Sequence, residues 1–190
     1  MRKVILLMHV TLDGFAAGLN GEMDWISYDD ALETYVHALH DSTDAAIYGR
    51  ETYEMMQSYW PTVLSDPTSS EGAKNHARWY EAVTKVIVSR TLESDESVKR
   101  VVIGKNLVAE MQAIKQQPGK DLWLIGSPSV SQVLVEHDLI DEYWLNVNPV
   151  ILGKGKPFFG SPQDKLGLKL ISSQTFAGGV VALRYERDRS

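Results

Sequence analysis

Cysteine is absent from the sequence, which excludes disulfide frameworks, thiol nucleophiles and thiolate metal sites. Histidine is sparse: His9, His37, His40, His76 and His137 are the whole set, and they show no close metal-ligand signature. His37 and His40 stand three apart in LETYVHALH and read as a pair on a solvated helix face, so no metal site is expected. A basic excess is also missing. The formal net charge of −6 argues against a nucleic-acid partner, whose phosphates need a basic face. A small phosphate-bearing ligand is still allowed, because it needs only a few local cations. No apolar run is long enough to span a bilayer, and the first one lacks a small-residue cleavage site. The expectation is a cytoplasmic chain with no membrane partner. No repeat and no low-complexity linker divides the sequence, so residues 1–190 are expected to form one domain.

What is present is a series of short apolar runs alternating with segments of helical spacing. The strand-like runs are 3–10, 44–49, 85–90, 100–104, 121–126, 142–150, 168–176 and 179–187. Helical periodicity marks DDALETYVHALH, ETYEMMQSYW, SEGAKNHARWYEAV, NLVAEMQAIKQQ and SPSVSQVLVEHDL. Strands that are apolar throughout, alternating with helices, predict an α/β fold with a mostly parallel sheet covered on both faces. The last two runs are joined by Ala-Gly-Gly, which predicts an antiparallel C-terminal hairpin. Residues 61–72 read as a long irregular loop.

In open α/β sheets, ligands bind beyond the carboxyl ends of the strands. Four consecutive ends here carry glycine, hydroxyl or cation: Gly49-Arg50-Glu51-Thr52, Ser89-Arg90-Thr91, Gly104-Lys105-Asn106 and Gly126-Ser127-Pro128-Ser129. Glycine lets backbone N–H groups approach an anion, and a helix N-terminus adds unpaired donors. Arginine forks onto phosphate oxygens, so Arg50 and Arg90 could clamp one phosphate while Ser127 and Ser129 face another. Each end taken singly also reads as a helix cap or turn. Together they favour a dinucleotide, although no G-x-G-x-x-G follows the first strand.

The segments TLDGFAAG, GEMDW, YGRETYEMM, KVIVSRTL and LWLIGSPSVSQVLVEHDLIDEYWLNVNPVILGKGKPFF, in that order, resemble the dihydrofolate-reductase-like family. The resemblance is closest to the reductase domain of the riboflavin-biosynthesis deaminase-reductase and its stand-alone relatives, and runs from about Met1 to Tyr185. It implies a three-layer sandwich with a central, mostly parallel eight-stranded sheet, and NADPH as cofactor. By position it implies cofactor contacts from Gly49, Arg50, Thr52, Ser89, Arg90, Gly104, Gly126, Ser127, Ser129 and Val130. Arg50 with Arg90 implies NADPH over NADH. Relatives carry Gly-Gly at the position of Gly126-Ser127, with a cis peptide in dihydrofolate reductases. The segment from Asp13 to Trp25 matches the mobile loop that closes over the nicotinamide, with Ala16, Ala17 and Gly18 letting backbone approach the ring.

The substrate side is less defined. Asp30 best matches the family's substrate-binding acid, but SYDDALE also reads as an acid-rich helix start. Asp13 either orients the acceptor or anchors its own loop. Trp25 either stacks on a flat heterocycle or packs as a hydrophobic plug, Trp60 reads as packing, and Asn146 faces the substrate side in the family. His9 reads as a satisfied core histidine. The resulting expectation is an NADPH-dependent reductase of a pterin/folate or aminouracil-type heterocycle. The alternative is a non-catalytic NADPH- or nucleotide-binding protein. A homodimer is expected in either case.

Overall fold

The computed structural model describes residues 1–160 and 165–190. Its eight-stranded sheet runs, from one edge to the other, β5 (Arg100–Ile103), β4 (Thr84–Val88), β3 (Thr43–Gly49), β6 (Asp121–Ile125), β1 (Val4–Thr11), β7 (Glu142–Asn148), β10 (Val181–Arg187) and β9 (Leu168–Thr175). Two compact units make up the chain: Met1–Arg2 with Asp30–Trp123, and Lys3–Asp29 with Leu124–Ser190.

Unit one contains β3 (Thr43–Gly49), β4 (Thr84–Val88) and β5 (Arg100–Ile103), parallel to one another. Ala46, Ile47, Val86 and Ile87 are buried, as continuous apolar strands covered on both faces require. Between β3 and β4 run α3 (Arg50–Val63) and α4 (Glu71–Ala82), preceded by α1 (Asp30–His37) and α2 (Leu39–Ser42). Ser70 caps α4 by accepting from the Ala73 N–H at 3.0 Å, and Asn106 caps α5 (Leu107–Gln116) through Ala109. The step from β3 to β4 runs one way along the sheet, and the step from β5 through α5 to β6 (Asp121–Ile125) runs back. Right-handed crossovers of opposite direction put α3–α4 and α5 on opposite faces.

Unit two is built on β1 (Val4–Thr11), parallel to β7 (Glu142–Asn148), with α6 (Pro128–Glu136) leading into β7. β10 (Val181–Arg187) pairs antiparallel with both β7 and β9 (Leu168–Thr175). The expected C-terminal hairpin is present, closed by a Gly179 N–H bond to the Phe176 carbonyl at 2.9 Å with Gly179 at φ 79°. The α/β architecture and its mostly parallel eight-stranded sheet are those expected.

Three local features differ from the sequence reading. The irregular stretch 61–72 is shorter, because α3 runs on to Val63 with Pro61 inside it, at the loss of the one amide bond that proline cannot donate. Two strands were missed: β2 (Phe15–Ala17) and β8 (Lys156–Pro157) form a separate antiparallel pair. The pair His37–His40 is not a solvated face. Both rings are half-buried, stacked at 4.4 Å, and His40 Nε2 lies 3.0 Å from His76 Nδ1. Trp60 packs in this same cluster, 4.2 Å from the His76 ring.

Candidate active site

In unit one the parallel register places Gly49, Val88 and Ile103 in one row across three strands. The residues that follow therefore leave the sheet along one edge: Arg50, Ser89–Arg90 and Gly104–Lys105. Gly104 has φ 138°, and a Cβ there would stand 2.9 Å from the Ser89 carbonyl oxygen, so this close approach of two chains requires glycine. The Ser89 hydroxyl accepts from the Thr91 and Leu92 N–H groups, both at 3.1 Å, which folds the segment back on itself. Glu110 accepts from the Gly104 and Asn106 N–H groups at 2.8 and 3.0 Å.

A cavity of about 470 Å³ opens here, lined by Ser89, Arg90, Thr91, Ser94, Gly104 and Lys105 among others. Arg90 and Lys105 are exposed and make no ion pair or hydrogen bond among the described residues. Two unengaged cations beside a close backbone turn suit a phosphate monoester, and of the two carboxylates in the same lining Glu110 is occupied by the Gly104 and Asn106 N–H groups. The 2′-phosphate of NADPH has this chemistry, and the residues present fit it. Arg50 differs. It donates to both Glu54 carboxylate oxygens at 3.1 and 2.9 Å and lies 3.5 Å from Glu51, so its fork is held along its own helix. Gly49 caps α3 without a side-chain bond, and Thr52 is half-buried in the first turn. Asp30 is exposed at the start of α1, where its carbonyl accepts from Thr34 Oγ1 at 2.8 Å.

In unit two the turn after β6 carries Gly126, Ser127, Ser129 and Val130. No cis peptide occurs among the described residues, so Gly126–Ser127 is trans. Both residues are left-handed, and Ser127 at φ 58°, ψ 67° is buried at the start of α6 with Pro128 as first helical residue. A serine in that region is strained by about 1–2 kcal/mol. Ser131 offsets part of this by donating to the Gly126 and Ser127 carbonyls at 3.2 and 3.1 Å. Ser129 is exposed and Val130 buried.

Asp13 sits in the turn between β1 and β2. Its carboxylate accepts from Thr11 Oγ1 at 2.6 Å and from the Leu152 and Gly153 N–H groups at 3.2 and 2.7 Å. The Thr11 hydroxyl, then these two amides, hold its carboxyl below the usual aspartate range. Asp13 thus pins this turn to the loop after β7. Ala16 is buried in β2, and Trp25 is half-buried, with its indole N–H donating to the Glu22 carbonyl at 3.2 Å.

Asn146 lies across from His9 in the β1–β7 register and is fully buried. His9 Nε2 is 3.3 Å from Asn146 Nδ2, and His9 Nδ1 is 3.5 Å from Asn148 Nδ2. The Ser27 N–H donates to Asn148 Oδ1 at 3.0 Å, which fixes the Asn148 amide. Burial pushes the His9 imidazole down to about 4, so it is neutral near pH 7. A neutral ring has one donor and one acceptor nitrogen. With Nδ1 accepting from Asn148, Nε2 carries the proton. Rotating the Asn146 amide would let its otherwise unpartnered Oδ1 receive that proton.

Within unit one the structure brings together Gly49, Ser89, Arg90 and Gly104. Within unit two, Asp13 and Ala16 flank one turn, Asn146 sits under His9, and Gly126 to Val130 open α6. Sequence reasoning undervalued Lys105, Ser94 and Glu110. Lys105 was visible in the third strand end, but its alignment with Arg90, and the places of Ser94 and Glu110 beside it, depend on the register.

The mostly parallel eight-stranded sheet with antiparallel C-terminal strands is an α/β architecture of the dihydrofolate-reductase-like fold. The chain belongs to the RibD C-terminal domain family, which it matches over residues 2–182. Protein YyaP of Bacillus subtilis (strain 168) is 34% identical over 184 residues, covering 97% of this chain and 94% of its own. A crystal structure from Shewanella sp. PV-4, provisionally named for riboflavin biosynthesis, superposes with TM-score 0.76 at 23% identity, covering 98% and 99% of the two chains. The diaminohydroxyphosphoribosylaminopyrimidine deaminase/5-amino-6-(5-phosphoribosylamino)uracil reductase of Thermotoga maritima gives TM-score 0.68 at 16% identity. That match covers 98% of this chain and 57% of the Thermotoga chain.

Proposed function

We propose that this protein is an NADPH-dependent reductase acting on a small heterocycle of pterin/folate or 5-amino-6-(5-phosphoribosylamino)uracil type. The observation that carries the reading is the unengaged pair Arg90 and Lys105 beside the Gly104–Ser89 contact at the aligned strand ends. Family membership supports a reductase, and the name of the Thermotoga relative supports the aminouracil class. When bound, NADPH supplies the hydride. In this reading Arg90 and Lys105 hold the 2′-phosphate. Within the same unit, the N–H groups opening α3, with Gly49 and Thr52, suit a further phosphate. Asp13 keeps the β1–β2 turn in place, and Ala16 and Trp25 belong to the segment that excludes water.

A second reading, a non-catalytic NADPH-binding protein, is favoured by one observation. The Asp13 carboxylate is committed to Thr11, Leu152 and Gly153, so it is not free to bind an acceptor. Both readings include a homodimer and a cytoplasmic location.

The test begins with NADPH and NADH titrations followed by tryptophan fluorescence. NADPH is expected to bind at least about tenfold more tightly, and Arg90→Ala to remove most of that difference, since one phosphate contact contributes about 1.5–3 kcal/mol. Equal affinity for both nucleotides would sink the assignment of the cation pair. Consumption of NADPH with dihydropterin, dihydrofolate or aminouracil acceptors separates the reductase from the binding protein.

A further inference from the structure

The helices of unit one hold a feature that the cofactor edge does not use. His37 ends α1, His40 lies one turn on in α2, and His76 projects from the middle of α4. One ligand nitrogen from each of the three lies within 4.8 Å of the others. We propose that His37, His40 and His76 form a site for one divalent transition-metal ion of the zinc type. Ligand atoms around a tetrahedral ion with bonds of ~2.0–2.1 Å stand ~3.3 Å apart. The His40 Nε2 to His76 Nδ1 separation of 3.0 Å already approaches that spacing. The widest pair has to close by about 1.5 Å to reach it, which is within the reach of side-chain torsions on two half-exposed residues.

The surroundings suit an ion as well as the spacing does. His76 is buried, whereas His37 and His40 are half-buried, so the nitrogen triangle is closed on one side and open to entry on the other. Aromatic neighbours flank the rings: His40 lies on Trp79 at 5.0 Å and 19°, and His76 packs against Trp60 at 4.2 Å. The Glu33 carboxylate acts on His37, and Asp41 on His40, in the direction that favours positive charge there. Three imidazoles without a thiolate select Zn(II), Co(II), Ni(II) or Cu(II) over Mg(II) and Ca(II). Water completes the fourth position. An ion held this way ties α1–α2 to α4 and stabilises the folded chain by mass action.

The experiment uses the untagged full chain, stripped with EDTA and freed of chelator. ZnCl₂ is titrated by calorimetry, and CoCl₂ by visible absorption together with tryptophan fluorescence, since Trp60, Trp79 and Trp123 all contact the cluster. One ion per chain is expected, with tetrahedral cobalt absorption and a change in fluorescence. The double variant H37Q/H40Q should weaken zinc binding by at least about 100-fold, because even partners outside the ligand set are worth 10–100-fold. The variant H137Q should bind as the parent does. His76→Gln changes a core position, so the half-exposed pair carries the test if that variant fails to fold. Absence of saturable binding, or unchanged affinity in H37Q/H40Q, overturns the site. Neither outcome bears on NADPH binding, which uses other residues.

Discussion

Residues whose charge state is set by burial make the first scale of behaviour. His9 is neutral in the folded chain because burial lowers it from 6.5 to about 4. The unfolded chain therefore binds an extra proton between those values, and stability contributed by His9 is fully present above pH 6.5 and falls as the pH drops toward 4. Between pH 7 and 5 this amounts to about 2 kcal/mol. Urea titrations at the two pH values are expected to show His9→Gln losing about 2 kcal/mol less than the parent over that interval. An identical loss in both proteins would mean that His9 is protonated when folded. Glu142 illustrates the opposite balance. Burial alone would raise its carboxyl, yet hydrogen bonds from Lys3 and Trp144 and the Arg184 charge bring it below the usual glutamate range. The core-histidine reading of His9 came from its place in an apolar run. The buried role of Glu142 did not show in EYWLNV, because its partners Lys3 and Arg184 lie far away in the sequence.

Elements were legible where a period or a cap repeats locally. The burial of most of β1 and of the middle of β4 follows from VILLMHVT and TKVIV, and the starts of α4 and α5 from Ser70 and Asn106. The pair β2–β8 was not legible. It joins three residues to two across roughly three quarters of the chain, and both strands are too short to show alternation. What permits it is Gly155, where a Cβ would stand 2.3 Å from the Ala17 carbonyl oxygen. Gly155→Ala should therefore destabilise the protein by about 1–3 kcal/mol, as overpacking against backbone does. Gly153→Ala, at φ 70° with open space around it, should cost only about 1–2 kcal/mol. Thermal denaturation of both variants checks the order, and a tolerated Gly155→Ala would show that β2 and β8 can separate freely. The histidine cluster escaped for a related reason. His76 follows His40 by 36 residues on another helix, so no spacing rule links them.

At the scale of the whole molecule, β9 is the outermost strand of the sheet and exposed at every residue. Leu168, Leu170 and Ile171 present apolar surface there, with Lys169 paired to Glu186 at 3.3 Å. Long exposed edges with apolar side chains invite pairing with another chain. The homodimer included in the proposed function predicts a light-scattering mass of twice 21.3 kDa. Leu170→Lys should shift it to one chain, and a parent mass of a single chain would remove the dimer. The row formed by Gly49, Val88 and Ile103 has a different kind of consequence. A substitution at Arg90 or Lys105 changes one contact and leaves the others in place. Deleting one residue from β4 draws Arg90 back by about 3.3 Å and turns it to the other face of the sheet. Under the proposed function, nucleotide preference would rest on single side chains, whereas the presence of any nucleotide site would rest on the lengths of the three strands.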